Sequence, residues 1–178
     1  FEDQVIIKNE AIGLNYIDIY FRTALYPWPN QEEIKILGSE AAGTVTEIGA
    51  GVKHLKVGDR VVYVVPVGAY AEYVSVHSKH VAKIPDPVSF DTAAASLLKG
   101  ITAYYLLHDT FSLKSGQTAL VHAAAGGVGQ LLGQWGSEIG AIMIGTAGGK
   151  HKCKTASAAK YDHVIDYNAQ DFVAEVMR

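Results

Sequence analysis

Thr118-Ala119-Leu120-Val121-His122-Ala123-Ala124-Ala125-Gly126-Gly127-Val128-Gly129-Gln130-Leu131-Leu132-Gly133-Gln134-Trp135 passes from an apolar strand through a glycine-rich turn into a helix. Positions 124 to 129 carry the dinucleotide fingerprint G-x-G-x-x-G with Ala124 in place of the first glycine. Each small residue has a physical task. Ala124 allows the tight turn, Gly126 lets backbone N–H groups approach a pyrophosphate, and Gly129 lets the helix pack closely on the strand. Gly127 and Val128 complete the loop. The helix N-terminus then places its partial positive charge beneath the phosphates. A glycine-rich loop alone is a weak signal. Here an apolar strand precedes it, a helix follows, and a second strand comes about 20 residues on, which is the context the motif requires.

Reading downstream, strands are expected at 118–122, 141–146 and 163–167, with helices between them and an amphipathic helix from Asp171. Such alternation is the signature of a parallel sheet with crossover helices. The end of the second strand reports on the nucleotide. A site for NAD places a carboxylate there to hold the ribose hydroxyls. This chain has Gly145-Thr146-Ala147-Gly148-Gly149-Lys150-His151-Lys152-Cys153-Lys154 instead. It has no acidic group to repel a 2′-phosphate and three lysines to attract one. Lysines at a helix start are slightly unfavourable to the helix itself. A nearby anion makes better sense of them, which points to NADPH.

Upstream, the first 90 or so residues read as short strands divided by glycine turns: Ala42 to Gly49, Lys56 to Tyr63, and Gly68 to Val74. That pattern predicts a compact antiparallel β unit. The character changes after Pro85-Asp86-Pro87, where Ser89 can cap a helix running through Ala95. A second helical stretch is expected from Thr102 to His108. The expected fold is therefore α/β, a β-rich domain over 1–92 followed by the first half of a doubly wound sheet over 93–178. Val5 begins a strand with almost no lead-in, and Arg178 falls within a helical pattern, so both ends read as cut.

Composition excludes several classes. The formal net charge of -3 over 178 residues, with no basic stripe, argues against nucleic acid as a partner. No run approaches the roughly 20 apolar residues that span a bilayer. Cys153 is the only cysteine, so the chain has neither an internal disulfide nor a cysteine-rich zinc site, in keeping with a reducing compartment.

Five segments carry a family resemblance. They are Asn15 to Tyr20, Leu37 to Gly43, Gly58 to Val61, Ala94 to Tyr105, and Ala123 to Gly129. In this order they resemble the zeta-crystallin-like quinone oxidoreductases of the medium-chain dehydrogenase/reductase family. The resemblance implies a GroES-like catalytic domain, a Rossmann domain, NADPH, a quinone substrate and a cytoplasmic homodimer. It places Asn15, Asp18, Tyr20, Tyr26 and Thr102 around quinone and nicotinamide, and Gly148, Lys152 and Tyr167 around the adenosine 2′-phosphate. One departure is Lys160-Tyr161, where the family often has Gly-Ala. This puts the local turn in doubt.

Zinc-dependent members have cysteine and histidine where this chain has Asn15 and Ser39, and neither replacement is a good zinc ligand. No metal is therefore expected. Hydride transfer to a quinone is the cofactor's chemistry, and the protein supplies position and electrostatics. Tyr20 or Asn15 could hydrogen-bond the carbonyl oxygen as negative charge develops, and Tyr26 could bound the pocket by stacking. Asp18 has a second possible role as partner of Arg22, four residues on. Two other functions use the same framework. One is NADPH-dependent reduction of an enone or alkenal double bond. The other is an RNA-binding or crystallin-like structural role.

Overall fold

A computed structural model describes residues 1–29 and 34–177. It divides into two compact units, Phe1–Leu98 and Lys99–Arg178.

The first unit is a five-stranded antiparallel sheet. Its strands are β1 (Gln4–Gly13), β2 (Glu40–Ile48), β3 (Arg60–Val64), β4 (Tyr73–His77) and β5 (Val81–Lys83), in spatial order β4-β1-β2-β3-β5. A short helix α1 (Tyr16–Arg22) follows β1. Val5, Ile7, Val45, Val61, Tyr63 and Val76 form the main core. Ala42 and Val62 face the other way and pack with Ala93 and Ala94. That second apolar layer explains why β2 is buried at four successive residues and does not alternate. The Gly68–Val74 stretch forms strand only from Tyr73, because Ala69 N–H and Tyr70 N–H are bonded back to Gly38 and Leu37 in a loop. Asn9 ties that loop to the sheet. Its amide donates to Ala69 O and Ala71 O at 3.1 and 2.8 Å, while its oxygen accepts the Tyr63 hydroxyl at 3.0 Å.

The two expected helical stretches after Pro87 are one helix, α2 (Phe90–Tyr105), ending in a π-helical turn over Leu106–Thr110. Ser89 caps it as expected, its hydroxyl accepting the Thr92 N–H at 3.1 Å. Gly100 lies between the two expected stretches. A glycine inside a helix costs only about 1 kcal/mol, and the helix is packed by the buried Ala93, Ala94 and Ala103.

In the second unit, β6 (Thr118–Val121), β7 (Ile142–Ala147) and β8 (His163–Asp166) form a parallel sheet in order β6-β7-β8. The connections are α3 (Gly127–Ile139) and α4 (Lys150–Ala158), and α5 (Phe172–Val176) follows, capped by Asp171. The helix face that meets the sheet is rich in glycine, with Leu132 beside Gly129, Gly133 and Gly136. At Gly129, Gly133 and Gly136 an added Cβ would lie 2.4 Å from Ala123 O, from Tyr161 Cε2, and 2.3 Å from Met143 Sδ respectively. Spacing of four and three keeps them on one face.

Lys160-Tyr161 keeps the turn that had been in doubt. Lys160 takes the left-handed conformation a glycine would supply, at φ 65°, and pairs with Glu138. Tyr161 is buried in the room left by Gly133, and its hydroxyl donates to Gly129 O at 2.6 Å. Burial pushes its ionisation far above the usual phenol range. The bulky residue therefore supports the glycine turn from behind.

Candidate functional site

Each unit contributes its own constellation. In the second unit the turn after β6 is set by Ala123, a non-glycine residue at φ 53°. Ala124 is fully buried, and its N–H donates to Thr146 O at 3.0 Å, stitching the turn to β7. Gly126 precedes α3 as its cap, with its N–H on Ala123 O at 2.8 Å. Gly127, Val128 and Gly129 form the first turn of α3, whose N–H groups lack helical partners and point outward. Only glycine fits at 129, where a Cβ would also meet Ala124 Cα at 2.8 Å. A cradle of backbone donors closed by the absence of side chains fits a pyrophosphate.

Beyond β7, Gly148 lies directly under Tyr167. A Cβ there would be 2.6 Å from the Tyr167 hydroxyl. Tyr167 is half exposed at the end of β8, and Lys152 is exposed on α4. The three lysines do not make one cluster, because residues two apart in a helix point to different faces. Lys154 instead lines a cavity of about 410 Å³ with Gln130, Gln134 and His151. Sequence reasoning also missed Asp166. It found no carboxylate near this turn, yet Asp166 Oδ1 accepts the Gly149 N–H at 2.8 Å. Its distance along the chain hid it, and only strand pairing brings it alongside.

In the first unit, α1 presents Asp18 inward. The carboxylate is buried and accepts the Asn15 N–H at 2.9 Å and the Tyr70 hydroxyl at 2.9 Å. It does not reach Arg22. Ser39 Oγ lies 3.5 Å from Asp18 and donates to Pro66 O at 3.0 Å. The Asn15 amide donates to Glu40 Oε1 at 2.9 Å, and Glu40 Oε2 accepts the Leu98 N–H at 2.6 Å. Glu40 is fully buried. It was quoted as part of a motif but not read as a site residue. A carboxylate set among small residues in Gly38-Ser39-Glu40-Ala41-Ala42-Gly43 was the available signal.

Tyr20 and Tyr26 stand together, ring centroids 5.1 Å apart, in a row continued by Phe21 and Trp28. The Trp28 Nε1 is buried without a hydrogen-bond partner. Tyr26 is exposed, so this row offers an aromatic face to solvent. Thr102 belongs to the other unit, on α2. Among the described residues there is no group of three or more metal-ligating side chains, and no helix is long and apolar enough to cross a membrane.

Tyr70 and Tyr63 give a pH test of this network. Burial, and for Tyr70 also the hydrogen bond to Asp18 and its charge, raises both to about 12. A folded pKa above the unfolded value near 10 means that the stabilisation is whole below about pH 10 and lost as pH rises through 12. Of the ten tyrosines, these two and the buried Tyr161 are expected to titrate late at 295 nm, and the melting temperature is expected to fall above pH 10. A Tyr70 that ionises with the exposed tyrosines would remove the bond to Asp18.

Residues 2–86 match the alcohol dehydrogenase GroES-like domain. The chain is 46% identical to quinone oxidoreductase 1 of Escherichia coli K12 over 97% of its own length and 52% of that protein's. It is 40% identical to a 2-haloacrylate reductase from a Burkholderia species, over 98% of the chain and 54% of the relative. The crystal structure of Escherichia coli quinone oxidoreductase complexed with NADPH matches with a TM-score of 0.93 at 45% identity, covering 98% of this chain and 53% of that one. The chain thus spans about half the length of the relatives it matches.

Proposed function

We propose, because this chain belongs to the medium-chain dehydrogenase/reductase family and to its quinone oxidoreductase branch, that it serves an NADPH-dependent reduction of quinones. The observation that carries the reading is the glycine turn, with Ala124 and Gly129 buried so that α3 presents its N-terminal N–H groups at the end of β6. Residues 1–92 act as the GroES-like substrate domain and 93–178 as the cofactor domain. When bound, NADPH supplies the hydride. The chain's own residues bind and orient.

Ala124, Gly126, Gly127, Val128 and Gly129 hold the pyrophosphate through backbone N–H groups and the helix N-terminus. Gly148, Lys152 and Tyr167 receive the 2′-phosphate, Lys152 by charge and Tyr167 through its hydroxyl. Tyr20 and Tyr26 offer aromatic surface to a flat ring. The Asn15 amide, held by Glu40, and the Tyr20 hydroxyl are the polar groups for a quinone oxygen. Asp18 orients this end of α1 by holding the Asn15 N–H, and Thr102 lies by the nicotinamide. The enzyme works without metal, since Asn15 and Ser39 stand where zinc-binding members need better ligands. A homodimeric assembly and a cytoplasmic location follow the family resemblance.

Titration of the protein with NADPH and with NADH tests the cofactor, and quinone-dependent loss of absorbance at 340 nm tests the substrate. Lys152→Ala is expected to weaken NADPH binding about tenfold, the size of one charge-assisted phosphate contact, and NADH binding hardly at all. Equal losses for both would remove Lys152 from the phosphate site. The likeness to a 2-haloacrylate reductase supports a second reading, reduction of an activated alkene. A panel pairing 1,4-benzoquinones with 2-haloacrylates and enones separates the two by kcat/KM.

A further inference from the structure

The β7–α4 turn that would meet the adenosine end of the cofactor is held by a negative charge. Asp166 closes β8, and its Oδ1 accepts the N–H groups of Gly149 at 2.8 Å and Asn168 at 3.1 Å. Gly149 is the cap of α4 at φ 87°, and Gly148 beside it is pressed under Tyr167. The carboxylate therefore fixes the turn between Gly148, Lys152 and Tyr167. Among the described residues, none of Lys150, Lys152 and Lys154 forms an ion pair with it, so its charge is not cancelled by contact. Its field reaches α4. The Cys153 thiol, next to Lys152, is raised first by burial and then by Asp166.

We propose that Asp166 is a specificity-determining residue for the nucleotide, holding the Gly148-Gly149 turn through hydrogen bonds while its charge opposes the 2′-phosphate that Lys152 attracts. The inference rests on the NADPH reading above. Its two parts are separable by chemistry. An asparagine keeps an acceptor for Gly149 N–H but has no charge. An alanine loses both.

The test is the dissociation constant of the intact protein for NADPH, NADH and 2′-phosphoadenosine, in wild type, Asp166→Asn and Asp166→Ala. Asp166→Asn is expected to bind NADPH and 2′-phosphoadenosine about fivefold more tightly, as removal of one charge near a doubly charged phosphate requires. NADH is expected to be unchanged. The gain shrinks at high salt, because exposed charges are screened. Asp166→Ala is expected to weaken both cofactors through loss of the turn. Asp166→Ser provides a second neutral variant if Asp166→Asn folds poorly, judged by its melting curve. An NADPH gain in Asp166→Asn or Asp166→Ser that NADH does not share upholds the inference whatever the wild-type preference. Equal losses of NADPH and NADH binding in Lys152→Ala would overturn only the Lys152 reading. Folded Asp166→Asn and Asp166→Ser with unchanged NADPH affinity overturn the proposal itself.

Discussion

Gly129→Ala is expected to weaken NADPH binding by about a hundredfold and to cost about 2–3 kcal/mol of stability, the upper part of the range for overpacking. The new methyl would meet Ala123 O at 2.4 Å and Ala124 Cα at 2.8 Å. Both are backbone atoms of the turn, and Ala124 is tied to Thr146 O. Neither can swing aside as a side chain would. The helix must move, and the N–H groups that face the phosphates move with it. Gly127→Ala is the internal control. Its Cβ would meet Lys99 Cδ at 2.7 Å, which is part of a flexible side chain, so the loss there is expected to stay below about tenfold. Calorimetric titration and urea unfolding measure the two effects separately. Equal behaviour of the two variants would mean that close packing at 129 does not shape the site.

Glu40→Ala is expected to destabilise the first unit by about 3–5 kcal/mol, since it removes the charged acceptor of two hydrogen bonds, each contributing about 1.5–3 kcal/mol. The donors are the Asn15 amide and the Leu98 N–H, bonded to Glu40 at 2.9 and 2.6 Å. Glu40→Gln retains one acceptor and is expected to lose about half as much. Because Glu40 also holds the Asn15 side chain, kcat is expected to fall in Glu40→Gln even where the protein remains folded. Denaturant melts with steady-state kinetics on the same preparations distinguish these outcomes. A Glu40→Ala protein as stable as wild type would show that the buried carboxylate is not the partner these donors rely on.

Most of the second unit was legible because its signals are local. A strand, a glycine turn and a helix stand consecutively, and Ala124 to Gly129 sit where the fingerprint places them. The first unit was legible in class but less so in detail. Its strand after Gly68 starts late because Asn9, sixty residues away, claims that loop. The two helical stretches expected on either side of Gly100 are one helix, because one interior glycine costs only about 1 kcal/mol. Glu40, Tyr70 and Asp166 escaped notice for one shared reason. Each acts on a residue far along the chain, through pairings that spacing does not encode. Asp18 was named from the sequence for the pocket or, alternatively, for a tie to Arg22, and the structure gives its carboxylate other partners. Burial turns the carboxylate toward Tyr70 and the Asn15 N–H instead.

The glycine face of α3 also governs how this protein can change over generations. At Gly136 the obstacle is the flexible Met143 side chain, its Sδ and Cε atoms 2.3 and 2.7 Å from where a Cβ would go. Volume can be traded there, and a smaller residue at 143 would act as a second-site suppressor of Gly136→Ala. Gly133 is intermediate, since Tyr161 could shrink but Ala159 O, 2.5 Å away, could not yield. At Gly129 the three nearest obstacles are all backbone, so no substitution among those residues makes room. One helix face thus holds a position free to covary, one partly so, and one that is frozen.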